Sequence, residues 1–152
     1  MAILSDTEET ETEHLNELGL HAEALGAIER ELKTRQDKEI LWQAITTALA
    51  NKRYQLAVEY AERLKTAPGV KKRHIQLVSL AYNYAGRLED AYLCCREAIN
   101  RNDTPNEAGD YYTMACRASS IGLQKEAFAN ILIALVFPVS YTHLRAHETR
   151  ED

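Results

Sequence analysis

Three cysteines and five histidines are the residues of this 152-residue chain best suited to nucleophilic or metal chemistry. Cys94 and Cys95 are adjacent and Cys116 stands apart, so no CxxC spacing occurs. Adjacent residues on a helix point in different directions, which favours packing over a shared ligand or redox site for the pair. Free cysteine buries readily, and the three read as small packing residues. Three thiols without a disulfide framework suit a reducing compartment. His74 follows Lys71, Lys72 and Arg73. A general base is conceivable there, but no nucleophile is paired with it, and the cluster reads as a solvated helix start or a weak contact for an acidic ligand. The acidic stretch 7–13 contains Glu8, Glu9, Glu11 and Glu13. It reads as solubility and as negative charge complementing a helix dipole. Glycines occur singly, so no phosphate-cradling loop is present. The inventory implies no enzyme activity, no cofactor and no metal.

The composition agrees with a soluble globular chain: 45% hydrophobic, 27% charged, 7% aromatic, with 6 Gly and 3 Pro. A formal net charge of −5 argues against nucleic acid as a default partner. The longest apolar run, 131–137, falls far short of the roughly 20 residues that span a membrane. No basic-then-apolar signal opens the chain.

Residues 139–149 read VSYTHLRAHET. This string resembles the translated read-through of a transposase-based sequencing adapter. Segment 138–152 is therefore expected to be an artefactual tail, with the natural chain continuing differently after Phe137. Without Arg145 and Arg150, and without Glu148, Glu151 and Asp152, the charge moves from −5 to −4. His143 and His147, four residues apart as a helical metal pair would be, drop out with the tail.

What remains is periodic. Gly19–Ala24, Lys52–Ala57, Gly86–Ala91 and Gly122–Ala127 each pair a turn with a following alanine, and the period lies near 34 residues. Helical patterning flanks each turn, as in Ile75, Val78, Ser79 and Tyr82 before it and Leu88, Ala91, Cys95 and Ala98 after it. Small residues at 79, 91 and 98 permit close helix approach. Pro68-Gly69 and the run 102–105 break one repeat from the next. The pattern predicts helices near 8–18, 21–35, 38–50, 54–66, 71–85, 88–101, 107–121 and 124–137, and no strand.

These residues resemble the tetratricopeptide repeat (TPR) family. The third repeat carries its pattern as Ile75, Val78-Ser79, Tyr82, Ala91, Cys95 and Ala98. The second carries Leu41, Ala44-Ile45, Ala48, Ala57, Ala61 and Leu64, and the fourth Tyr111, Met114-Ala115, Ala118, Ala127, Ile131 and Ala134. The first repeat would place Glu8, Glu11 and Thr12 at core positions and reads as a polar cap or frayed segment. The resemblance implies an all-α, right-handed superhelical array of antiparallel helix-turn-helix hairpins over 15–137, preceded by an acidic segment, 1–14. It also implies a concave surface lined by first helices. That surface would offer Trp42, Gln43 and Thr46, then Arg73, Gln76, Leu80, Asn83 and Tyr84, then Tyr112 and Thr113. Rings supply contact area and amides read an extended backbone. The basic and amide clamp by which some relatives hold chaperone carboxylates is not expected, because Trp42 and Thr46 stand at its first positions.

The expected function is a cytoplasmic protein-interaction scaffold that docks a peptide or helix. The alternatives are an N-terminal interaction module of a larger enzyme or regulator, or a small export chaperone. The partner would be protein, with neither nucleic acid nor membrane. The final helix, apolar on every side over 131–137, is expected to be covered by a further helix.

Overall fold

The computed structural model describes residues 11–137. The acidic residues before Glu11 and the adapter-like tail lie outside them. Eight α-helices are described: α1 (Glu11–Glu17), α2 (His21–Glu31), α3 (Lys38–Ala50), α4 (Tyr54–Lys65), α5 (Lys72–Tyr84), α6 (Leu88–Ile99), α7 (Ala108–Ser120) and α8 (Gln124–Val136). No strand occurs among the described residues. The helices pair as four hairpins, α1/α2 to α7/α8, each packed on the next to form an all-α solenoid. The expected boundary between residues 14 and 15 falls inside α1.

Every hairpin closes by the same device. The second residue after the first helix takes a positive φ: 76° at Gly19, 58° at Lys52, 79° at Gly86 and 81° at Gly122. The next amide then reaches back over the helix end, as Arg87 N to Tyr82 O at 2.9 Å and Arg53 N to Ala48 O at 2.8 Å. This reach satisfies a carbonyl that the helix terminus leaves open. Lys52 holds the backbone that three glycines hold elsewhere, so the second turn carries a steric cost the others avoid.

Small residues let the helices cross closely. Ala24, Ala57 and Ala91 are fully buried and Ala127 nearly so. The Ser79 hydroxyl donates to the Ala91 carbonyl at 2.6 Å, tying α5 to α6 where they cross. Larger side chains fill the space between hairpins: Ile40, Leu41, Ile45, Leu64, Ile75 and Val78 are buried, each contributing on the order of 1.5–3 kcal/mol through removal from water. One observed boundary departs clearly from the sequence pattern. Helix α2 stops at Glu31, not near 35. Thr34 and Arg35 both donate their amides to the Glu31 carbonyl. Arg35 pairs with Asp37 at 2.9 Å, and Asp37 caps α3 by accepting from the amides of Glu39 and Ile40 at 3.1 Å.

The two ends of the array differ. Thr12 of α1 is fully buried, while Glu11 is exposed and paired with Arg30. At the other end Phe128, Leu132, Leu135 and Val136 of α8 are 64%, 47%, 70% and 81% exposed.

The Ala91 crossing supplies a test. Ala91→Leu should overpack α5 against α6 and cost about 1–3 kcal/mol. Ala22→Leu, on the exposed face of α2, should cost less. Urea denaturation reads both, and equal midpoints would mean that the repeat register is wrong.

Candidate functional site

The first helix of each hairpin, α3, α5 and α7, contributes to two cavities between successive hairpins. The first, about 200 Å³, is lined by Glu13 of α1, by Lys38, Glu39, Trp42 and Gln43 of α3, and by Arg73 and His74 of α5. Trp42 is half-buried. Its ring meets the edge of His74 at 5.7 Å, and the Arg73 guanidinium lies over it at 5.7 Å from the centroid, a cation–π contact that leaves Arg73 exposed. Gln43 donates to Glu13 at 3.0 Å, and its carbonyl oxygen is buried without a partner.

His74 is not the solvated residue its basic neighbours suggested. It is 2% exposed. Its Nδ1 accepts the Lys71 amide at 2.9 Å, which caps α5 and places the proton on Nε2. Burial, followed by the charges of Arg73 and Lys38, lowers its pKa from the usual value, so the ring acts as a neutral structural acceptor. Lys72 corrects the same expectation. Only 4% exposed, it donates to Asp110 and to Asn106, both at 2.6 Å, and to the Pro105 carbonyl at 3.3 Å. A buried cation is retained only with such partners. This clasp joins the third hairpin to the fourth. Lys38 makes a simpler version one repeat earlier, donating to the Gly69 carbonyl at 3.1 Å.

The second cavity, about 250 Å³, lies between α5, α6 and α7. Gln76, Ser79 and Leu80 face Asp110, Thr113 and Arg117 across a floor of Cys95, Ala98 and Ile99. Gln76 donates to Asp110 at 2.8 Å. A third hollow, about 450 Å³, runs between α7 and α8 past Tyr112, Cys116, Phe128 and Ile131.

Of the ten residues expected at the concave surface, the structure gathers Trp42, Gln43 and Arg73 in the first cavity. It gathers Gln76, Leu80 and Thr113 in the second, and puts Tyr112, 61% exposed, in the third. Thr46, Asn83 and Tyr84 line none of the three. The Thr46 hydroxyl turns back onto the carbonyls of Trp42 and Gln43. Tyr84 stacks on Tyr54 of α4 at 5.6 Å. Lys38, His74, Asp110 and Arg117 line the cavities although the repeat pattern did not single them out.

Burial raises the thiol pKa of Cys94, and that of Cys95 to about 11, so neither offers a thiolate near neutrality. Among the described residues no group of His, Cys, Asp or Glu has the geometry to hold a metal ion, and no helix is long and apolar enough to cross a membrane.

No protein-family model matches the chain, and no curated protein matches it in sequence. Solved structures do. A crystal structure of MamA superposes with a TM-score of 0.75 at 16% identity, over 84% of this chain and 74% of that one. MamA from Desulfovibrio magneticus RS-1, residues 41 to the end, gives 0.72 at 21% identity, over 83% and 71%. The TPR-like repeats of a Podosopora anserina kinesin light chain candidate give 0.69 at 16%, over 85% and 72%. At these identities the likeness shows a TPR-like helical-repeat fold.

Thiol chemistry tests the burial pattern. In the native protein near pH 7, Cys116, which is exposed, should react rapidly with a disulfide reagent. Cys94 and Cys95 should react only on unfolding. Three fast thiols in the native state would contradict the packing of α6.

Proposed function

We propose that the chain is a protein-interaction scaffold without catalysis of its own, and that it docks a peptide or helix of a partner along the face built by α3, α5 and α7. One observation carries this reading: side chains suited to recognition recur on that face at successive repeats, opening into hollows instead of closing into core. Trp42 with Arg73 offers a ring under a cation, Gln76 and Thr113 offer polar groups beside Leu80, and Tyr112 offers an exposed ring. Aromatic and Arg anchors surrounded by amides suit a bound segment that keeps its own backbone polar groups satisfied. A stiff stacked array presents them at fixed spacing, which lowers the ordering cost of binding. The described residues supply neither an activated nucleophile nor a metal cluster for the competing enzymatic reading. TPR-like repeats in the solved structures agree with an interaction role.

In this reading the array spans 15–137, residues 1–14 are an acidic lead, 138–152 are adventitious, and the protein works in the cytoplasm. Thr46, Asn83 and Tyr84 lie at the margin of the docking face and contribute less than the residues in the hollows.

The test is a partner recovered by pull-down and then titrated against variants. Trp42→Ala combined with Tyr112→Ala should weaken binding roughly tenfold or more, the size expected when aromatic anchors are lost, with helicity by circular dichroism unchanged. Unchanged affinity would move the site to the second helices or the loops.

A further inference from the structure

Arg117 breaks the pattern of its own array. It lies ten residues before the alanine that follows the turn, Ala127. The residues at that place in the two preceding repeats are Ala81, before Ala91, and Thr47, before Ala57. Both are fully buried, and both are small. Thr47 faces the preceding hairpin, where it accepts from Asn16 of α1 at 2.9 Å. At the fourth repeat the same slot holds a guanidinium, beside the 250 Å³ cavity between α5, α6 and α7.

The guanidinium is not neutralised from within. Its Nε is buried without a partner, and among the described residues no carboxylate pairs with it. Asp110 lines the same cavity but is already engaged. Its Oδ2 accepts from Lys72 at 2.6 Å and from the Glu107 amide at 2.8 Å, and its Oδ1 from Gln76 at 2.8 Å. With Lys72 cancelling Asp110, the cavity keeps one positive charge beside Leu80 and above a floor of Cys95, Ala98 and Ile99. A half-buried cation with no carboxylate beside it is unfavourable unless something outside the fold neutralises it. A break in a repeat's local rule that nothing in the fold compensates marks a functional position.

We propose that this cavity is a subsite for an acidic side chain of the partner segment. Its carboxylate pairs end-on with the two terminal nitrogens of Arg117, and its methylenes rest against Leu80 and Ile99. Two parallel charge-assisted bonds from the guanidinium fork fix the carboxylate's orientation. Glutamate suits the depth, since its two methylenes span an apolar wall before the charge. The inference rests on the docking face proposed above and names what one part of it reads.

The test uses the full chain labelled with ¹⁵N. The Arg117 Nε–H resonance is assigned by its disappearance in Arg117→Lys. The probes are acetyl-Ala-Leu-Glu-Leu-Ala-amide, the same peptide with Gln for Glu, and sodium acetate. The Glu peptide should move the Nε–H resonance saturably, and its affinity should fall about tenfold in Arg117→Lys, which keeps the charge but loses the fork. The Gln peptide should bind correspondingly more weakly. Arg117→Ala restores a small residue such as the two preceding repeats carry, so it should raise the urea midpoint while abolishing the preference for Glu. A structural role for Arg117 would lower that midpoint and overturn the proposal. Acetate giving the same saturation at the same concentration would make the site one for free anions and overturn it too. Equal affinity for the two peptides, with shifts confined to the surroundings of Trp42 and Tyr112, would remove the Arg117 subsite and leave the docking face standing. Shifts confined to α4 and α6 would overturn both.

Discussion

Each hairpin of this array depends on one residue that accepts a left-handed backbone at its turn. The φ values at positions 19, 52, 86 and 122 lie between 58° and 81°. That conformation lets the following amide close the first helix and start the second within a residue or two. The residues that follow, Leu20, Arg53, Arg87 and Leu123, have ψ values from 62° to 72° and no side-chain cap. Near-identical turns make near-identical hairpins. Near-identical hairpins stack with first helices on one face, and side chains far apart in sequence become neighbours there.

The stacking has its own chemistry. Alanines at the crossings admit close approach, and polar groups bind one hairpin to the next. Between the third and fourth, Asp103 accepts the Lys72 amide, and Lys72 in turn reaches Pro105, Asn106 and Asp110. Toward α8 the polar ties thin out to the Tyr92 hydroxyl on the Glu126 carboxylate, and the helix itself shows apolar side chains to solvent. The position after Lys38 and Lys72 in the repeat is Ala108, so no lysine clasp extends from α7.

Much of the fold was legible because a repeat writes its pattern several times. The limits of α3, α4, α5, α7 and α8 fall within one residue of the expected ones. Where the reading failed, a side chain's fate depended on a neighbour from another repeat. His74 and Lys72 sit in a basic run that looks solvated. The first is buried beside Trp42, and the second is swallowed by a loop 31 to 38 residues downstream. Tyr84, expected on the concave face, stacks on Tyr54 while staying exposed. Arg117 was visible in principle, since aligning the repeats sets it against Thr47 and Ala81. Its significance needed the cavity and the saturation of Asp110, which only packing reveals.

The most direct measurement is the reciprocal exchange at the turn. Lys52→Gly relieves a left-handed lysine, and Gly86→Ala imposes the same backbone on a residue with a Cβ, at a site where that Cβ would meet nothing within 4 Å. Both act through the same left-handed φ, one removing a Cβ there and the other adding one. In urea denaturation Lys52→Gly should stabilise the array by about 0.5–1 kcal/mol and Gly86→Ala should destabilise it by about 1 kcal/mol. Opposite shifts of that size would support the turn as the constraint that sets the array; two changes of the same sign, or none, would contradict it.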